Sequence, residues 1–134
     1  MYSRLASWCK PGAVLAIEDY AQSDTVSLSP ETSELLRDMV YVPNGKLPTI
    51  SQYKDSLEAC GLTNVEIIDQ TKSWAEFVKQ RHQKAIERQD EFDKFMCGPG
   101  RREFFSAVAR LFNPANGVPN GILGVRIYAQ KISC

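Results

Sequence analysis

The chain has 134 residues, 43% hydrophobic and 24% charged, with 16 lysines and arginines balanced by 16 aspartates and glutamates. A chain of this length buries roughly two-thirds of the surface its unfolded form exposes, enough for a core without staples. Zero net charge and a pI of about 6.6 argue against a nucleic-acid binder or a basic membrane-surface protein, and the abundant aliphatic and aromatic residues exclude disorder.

The balance hides an asymmetry: residues 1–67 hold 5 basic and 9 acidic side chains, residues 68–134 hold 11 and 7. Much of the positive excess falls on expected helices and reads as solvated helix faces. Cys9, Cys60, Cys97 and Cys134 are scattered, with no Cys-x-x-Cys pair and one histidine, so no zinc or other metal site is expected. No secretory signal is visible, and the apolar run 13–17 is far too short to cross a bilayer. A cytoplasmic, reducing setting with free thiols is the expectation.

In chain order, residues 2–9 read as the last turns of a helix, stopped by Lys10-Pro11-Gly12. Ala13-Val14-Leu15-Ala16-Ile17 runs apolar without alternation, as a strand covered on both faces does. Residues 21–28 read as a polar loop. Ser29 then caps a helix with Pro30 at its first position, and Leu35, Leu36, Met39 and Val40 line its inner side. Pro43-Asn44-Gly45 is a turn. Thr49-x-x-Gln52 is a capping box for a helix carrying Ile50, Tyr53, Leu57 and Cys60, which Gly61 terminates.

Val65-Glu66-Ile67-Ile68-Asp69 is a second strand, far enough from the first for a crossover that leaves the two parallel. Ser73-x-x-Glu76 opens one long helix over residues 73–96, broken by Gly98-Pro99-Gly100. The next helix carries Phe104, Phe105, Val108, Leu111 and Phe112. After a turn-rich segment, alternation over residues 123–131 marks the last strand.

The opening Leu5…Trp8-Cys9-Lys10-Pro11-Gly12-Ala13-Val14-Leu15-Ala16-Ile17-Glu18-Asp19 resembles the "L-K-P-G-G-x-L-x-I-x-D" stretch at the fifth strand of class I S-adenosylmethionine-dependent methyltransferases. Tyr53…Leu57-Glu58-Ala59-Cys60-Gly61-Leu62-Thr63-Asn64-Val65-Glu66-Ile67 is similar to that family's passage into the sixth strand. Asp69-x-Thr71-x-x-Trp74-x-x-Phe77-x-x-x-Arg81 and the closing Leu123-Gly124-Val125-Arg126-Ile127-Tyr128-Ala129-Gln130-Lys131 resemble the tail of small-molecule members. The strand, "G-x-G-x-G" turn and helix that approach the cofactor do not occur in the sequence, and Gly98-Pro99-Gly100 follows a charged helix rather than a strand.

The resemblance therefore implies an α/β fold: a partial Rossmann-like sheet of strands five, six and seven, the last antiparallel, with residues 1–134 as the C-terminal portion of a methyltransferase-like domain. It implies S-adenosylmethionine as cofactor, bound through an N-terminal half rather than by this chain alone. It also implies a small-molecule methyl acceptor, such as an amine, a sterol or quinone-like ring, or a small acid. In the full fold the fourth strand lies beside the fifth, so the edge of Ala13-Val14-Leu15-Ala16-Ile17 needs cover from an N-terminal half or a second copy in a homo-oligomer. The alternative is a non-catalytic methyltransferase-like interaction or oligomerisation domain.

Glu18, Asp19 and Tyr20 are expected at the carboxyl end of the first strand, where open α/β sheets bind ligands. The resemblance implies that this end faces the acceptor, with Asp19 orienting it and Tyr20 lining the pocket; capping of nearby amides is the competing reading for the carboxylates. Trp74, Phe77 and Arg81 share one side of the long helix and suit an aromatic wall with a cation for an anionic group. The same spacing also fits core aromatics with a rim arginine. His82 has no nucleophile arrangement around it and reads as solvated, and Tyr41 and Tyr53 flank the segment that would cap the acceptor site.

Overall fold

The computed structural model of the chain describes residues 2–132 apart from 97 and 116, so Cys97 and Cys134 lie outside the described residues. In chain order the elements are α1 (Tyr2–Trp8), β1 (Val14–Gln22), α2 (Pro30–Asp38), a 3-10 turn (Pro43–Gly45), α3 (Ile50–Glu58), β2 (Leu62–Asp69), α4 (Thr71–Glu87), α5 (Gln89–Phe95), α6 (Gly100–Phe112) and β3 (Ile122–Lys131). Cys9 and Cys60 are free thiols. No helix among the described residues is long and apolar enough to cross a membrane.

The local signals for α2 and α3 act as their chemistry dictates. Ser29 Oγ accepts the Thr32 N–H at 3.1 Å, and Thr49 and Gln52 close a reciprocal capping box. Gly61 ends α3 with φ 75°. Three expectations fail nearby. β1 runs on through Ala21 and Gln22, because β3 continues to pair with it as far as Ile122; Glu18, Asp19 and Tyr20 are thus inside the strand rather than at its end. The long helix also divides: Arg88, at φ −118° and ψ 39°, leaves helical geometry and separates α4 from α5. Nor does Ser73 cap α4, which begins earlier, where Asp69 Oδ1 accepts the Thr71 N–H at 2.8 Å.

The sheet has the order β1-β3-β2, with β3 antiparallel to both neighbours, so β1 and β2 run parallel with β3 between them. This is the arrangement that strands five, seven and six of the expected fold require. One face packs on α1 and α3: Ala21, Val125, Ile127 and Ala129 close over Ala6, Tyr53 and Leu57. The other face meets α2, α4 and α6 near the carboxyl end of β1, where Tyr20 and Ile122 pack with Trp74, Val78, Leu111 and Phe112. Farther back on that face Val14 is 66% exposed. Glu18 and Arg126, paired in register, form a solvent-exposed ion pair there.

Lys131 donates its N–H to the Ala13 carbonyl at 2.9 Å, which fixes the alternation along β1. Odd-numbered residues turn their backbone groups to β3, and even-numbered ones turn theirs outward. At the outer edge the Gln22 N–H reaches the Pro48 carbonyl at 2.9 Å, and the Tyr20 N–H is taken by Asp19 Oδ1 at 2.8 Å. Among the described residues, no strand pairs with the outward groups of Val14, Ala16 and Glu18.

Candidate functional site

Successive strand residues point to opposite faces, and this separates the two residues the sequence placed together. Asp19 faces α3, where the Tyr53 hydroxyl donates to its Oδ2 at 2.5 Å while its Oδ1 holds the Tyr20 N–H. The Tyr2 ring lies 5.7 Å from that of Tyr53. Burial, and then the bond to Asp19, push the Tyr53 phenol far above its ordinary value. Burial also raises Tyr2 and Tyr20, with the Asp19 charge adding to both. Both oxygens of Asp19 are therefore engaged in tying α3 to β1 and closing part of the strand's edge, the amide-capping reading of this residue.

Tyr20 faces the other way and completes an aromatic triangle. Its ring centre is 5.7 Å from Trp74 and 5.7 Å from Phe112, and Trp74 and Phe112 stand 5.8 Å apart. The approach of Trp74 to the sheet depends on Gly124, where an added Cβ would fall 2.6 Å from the indole. Around it, Gln70 N–H donates to Gly124 O at 2.8 Å and Gly124 N–H donates to Thr71 Oγ1 at 3.2 Å. The first turn of α4 is thereby bolted to β3.

Beside the triangle, beyond the carboxyl ends of β1 and β2, lies a hollow of about 560 Å³ with Phe112, Ser23, Asp69, Thr71 and Asn113 in its walls. Part of its polar equipment holds those walls: Asp69 takes the Thr71 N–H, and the Asn113 amide donates to the carbonyls of Ala75 and Ala109, each at 3.1 Å. Of the triangle, Phe112 is the member that lines this hollow, among aliphatic residues and a few polar edges.

Phe77 and Arg81 are elsewhere. They lie on later turns of α4 and line an outer groove against α5, with the Arg81 guanidinium carbon 4.9 Å from the Phe77 ring centre. His82 is half-buried rather than solvated and borders a separate hollow with Leu35 and Met39 of the α2 region. Tyr53 belongs to the α3 core, whereas Tyr41 is 82% exposed. Of the five residues singled out in the sequence, the structure brings together Tyr20 with Trp74, and Phe77 with Arg81, and sets Asp19 apart. Sequence reasoning did not single out Phe112 or Gly124 for this site; a glycine inside an alternating strand was the available sign of a close approach. Among the described residues no group of three histidine, cysteine, aspartate or glutamate side chains is placed to hold a metal.

No family model matches the chain. A phosphoethanolamine N-methyltransferase of Plasmodium falciparum (isolate 3D7) is 28% identical over 94 residues, 70% of this chain and 34% of that protein. A Haemonchus contortus phosphoethanolamine N-methyltransferase 2, solved with phosphomonomethylethanolamine and S-adenosylhomocysteine, superposes with a TM-score of 0.68 at 16% identity, over 99% of this chain and 29% of its own. A Mycobacterium tuberculosis cyclopropane synthase gives a TM-score of 0.72 at 15% identity, over 97% of this chain and 48% of its own.

The chain shares the fold of part of these Rossmann-like methyltransferases.

The chain spans about a third of the curated relative it matches. The sheet order and the antiparallel last strand expected from the methyltransferase resemblance are both present. No strand among the described residues runs through a glycine-rich turn into a helix. The crowded glycines are filled by the chain itself: Gly45 by the Ser33 backbone, Gly121 by the backbone of Val26 and Ser27, and Gly124 by Trp74.

Proposed function

We propose that this chain is the acceptor-side portion of an S-adenosylmethionine-dependent methyltransferase for a small molecule, and that it is inactive until an N-terminal half supplies the cofactor site. The observation that supports this most directly is the β1-β3-β2 sheet with its antiparallel centre, superposing on methyltransferases over nearly the whole chain. The curated relative is an N-methyltransferase, which favours an amine as acceptor. On this reading Phe112, with Tyr20 and Trp74 packed against it, forms the apolar wall of the acceptor pocket, and Asp19 keeps Tyr20 in place through its amide. Phe77 and Arg81 stand outside that wall. The wall's task is to hold the amine against the methyl group and to exclude water, which is most of what this transfer asks of a protein.

The same reading assigns a role to the outer edge of β1. A strand of the N-terminal half pairs with Val14, Ala16 and Glu18, and its flanking helix covers the bare face around Val14. Free Cys9 and Cys60 suit a reducing cytoplasm.

Calorimetric titration with S-adenosylmethionine tests the proposal, using the chain alone and the chain fused behind the N-terminal part of a methyltransferase of the same fold. No binding by the first and binding by the second, with labelled methyl transferred to a small amine, is the expected result. Absence of binding in both would sink it and leave the interaction module. Light scattering of the free chain adds a second arm: a dimer that dissociates when the N-terminal half is fused is the expected behaviour of an uncovered edge.

A further inference from the structure

The outer groove between α4 and α5 has a composition that the acceptor wall does not share. It has a volume of about 700 Å³, within the range that holds small ligands. Phe77, Arg81 and Lys84 follow one another at intervals of four and three residues, so they form a single stripe along α4, and Arg88 at its C-terminal end also lines the groove. Phe92 and Phe95 face them from α5, and buried Ala85 also lines the groove. Phe77 is 55% and Phe95 85% exposed, a large apolar surface to leave in water.

The charges are sorted as well. On the neighbouring stripe of α4 the two glutamates are occupied by amides: Gln80 donates to Glu76 at 2.8 Å and Gln83 donates to Glu87 at 2.9 Å. Arg88 is paired with Glu91. That leaves Arg81 and Lys84 beside the phenylalanines with no ion pair among the described residues. A groove with an apolar bed and two cations outside any ion pair, whose lining carries Arg81, Lys84 and Arg88 against the one carboxylate of Glu91, is complementary to one molecule with an apolar body and an anionic head.

We propose that this groove binds a single anionic amphiphile, a phosphate or carboxylate carried on an alkyl or aryl tail, with Arg81 and Lys84 on the head and Phe77, Phe92 and Phe95 on the tail. A membrane surface is the less suitable occupant. Residues 71–96 carry six basic and five acidic side chains, too little excess charge to hold a helix pair to anionic lipid. The inference does not rest on methyl transfer, because neither the groove nor its residues belong to the acceptor wall.

Tryptophan fluorescence and amide chemical-shift titrations of the 134-residue chain with dodecyl phosphate, below its micelle concentration, test it. The expected result is saturable binding with shifts confined to α4 and α5. Arg81→Gln combined with Lys84→Gln should weaken it about tenfold or more, the effect of losing a charge-assisted contact. Phe95→Ser, at an exposed site that folding does not need, should weaken it separately. Dodecyltrimethylammonium, with the same tail and the opposite charge, should not bind. Equal binding of the cationic homologue, no effect of either variant, no saturable binding, or association only with vesicles of anionic lipid would each overturn the proposal.

Discussion

The two ends of β1 belong to one strand and have opposite fates. At the carboxyl end Ala21 is fully buried, Tyr20 is locked between Trp74 and Phe112, and the Gln22 amide is bonded to Pro48. At the amino end Val14 is two-thirds exposed, and the outward backbone groups of Val14, Ala16 and Glu18 face no strand among the described residues. The difference lies in what reaches each end. The helices inserted between β2 and β3 return over the carboxyl end only. This apolar stretch, bare along part of one edge and half a face, is where the proposal above places a strand of an N-terminal half.

The largest effect is expected where both ends share a core. Ile127, 1% exposed at the centre of the middle strand, packs with the α1 and α3 side. Ile127→Ala should cost about 2–5 kcal/mol in urea unfolding, because the cavity adds to the lost transfer energy.

Tyr53→Phe comes next. It removes a hydrogen bond to a carboxylate, for which about 1.5–3 kcal/mol is expected. The pH profile sharpens the point. With the folded Tyr53 value raised, the unfolded chain ionises above its ordinary value near 10 while the folded chain keeps its proton. The folded state then binds more protons, so stability is full below about pH 10 and falls as pH rises beyond it, by up to about 1.4 kcal/mol per pH unit for one such group. Tyr53→Phe should flatten that fall, leaving the smaller contributions of Tyr2 and Tyr20.

Gly124→Ala attacks the carboxyl end alone. The added methyl must displace the Trp74 ring, at about 1–3 kcal/mol. In a Trp8→Phe background the emission of Trp74 should shift to the red; unchanged emission would mean that Gly124 does not set the indole's position. The smallest effect belongs to the bare end. Val14→Lys should change the stability of the free chain by no more than about 0.5 kcal/mol. It should nevertheless reduce assembly with an N-terminal half, which co-purification measures.

Much of this comparison could be read from the residues. Ser29, the Thr49 and Gln52 box and Gly61 mark helix ends by local chemistry, and each acts at the expected position. The strand lengths were less accessible. Ala21 and Gln22 look like the start of a polar loop, and only pairing with Leu123 and Ile122 keeps them in β1. The break at Arg88 was hidden because the pattern on both sides of it is helical. Tertiary contacts hold α5 in its own direction: Asp93 pairs with Arg102 at 3.0 Å and Phe92 meets Phe105 edge-to-face with ring centres 5.9 Å apart, tying it to α6.

The candidate site shows the same division. Tyr20, Trp74, Phe77 and Arg81 stood out because aromatic and cationic side chains at strand and helix positions are chemically conspicuous. Phe112 lies 92 residues beyond Tyr20 and joins it only because β3 sits between β1 and β2. Period, caps and turn residues are short-range properties, so the sequence by itself determined the order and kind of the elements and the resemblance to half of a methyltransferase sheet. Which face each side chain serves, where the long helix breaks and which edge stays bare depend on register and on contacts between distant segments. Those only the tertiary structure decided.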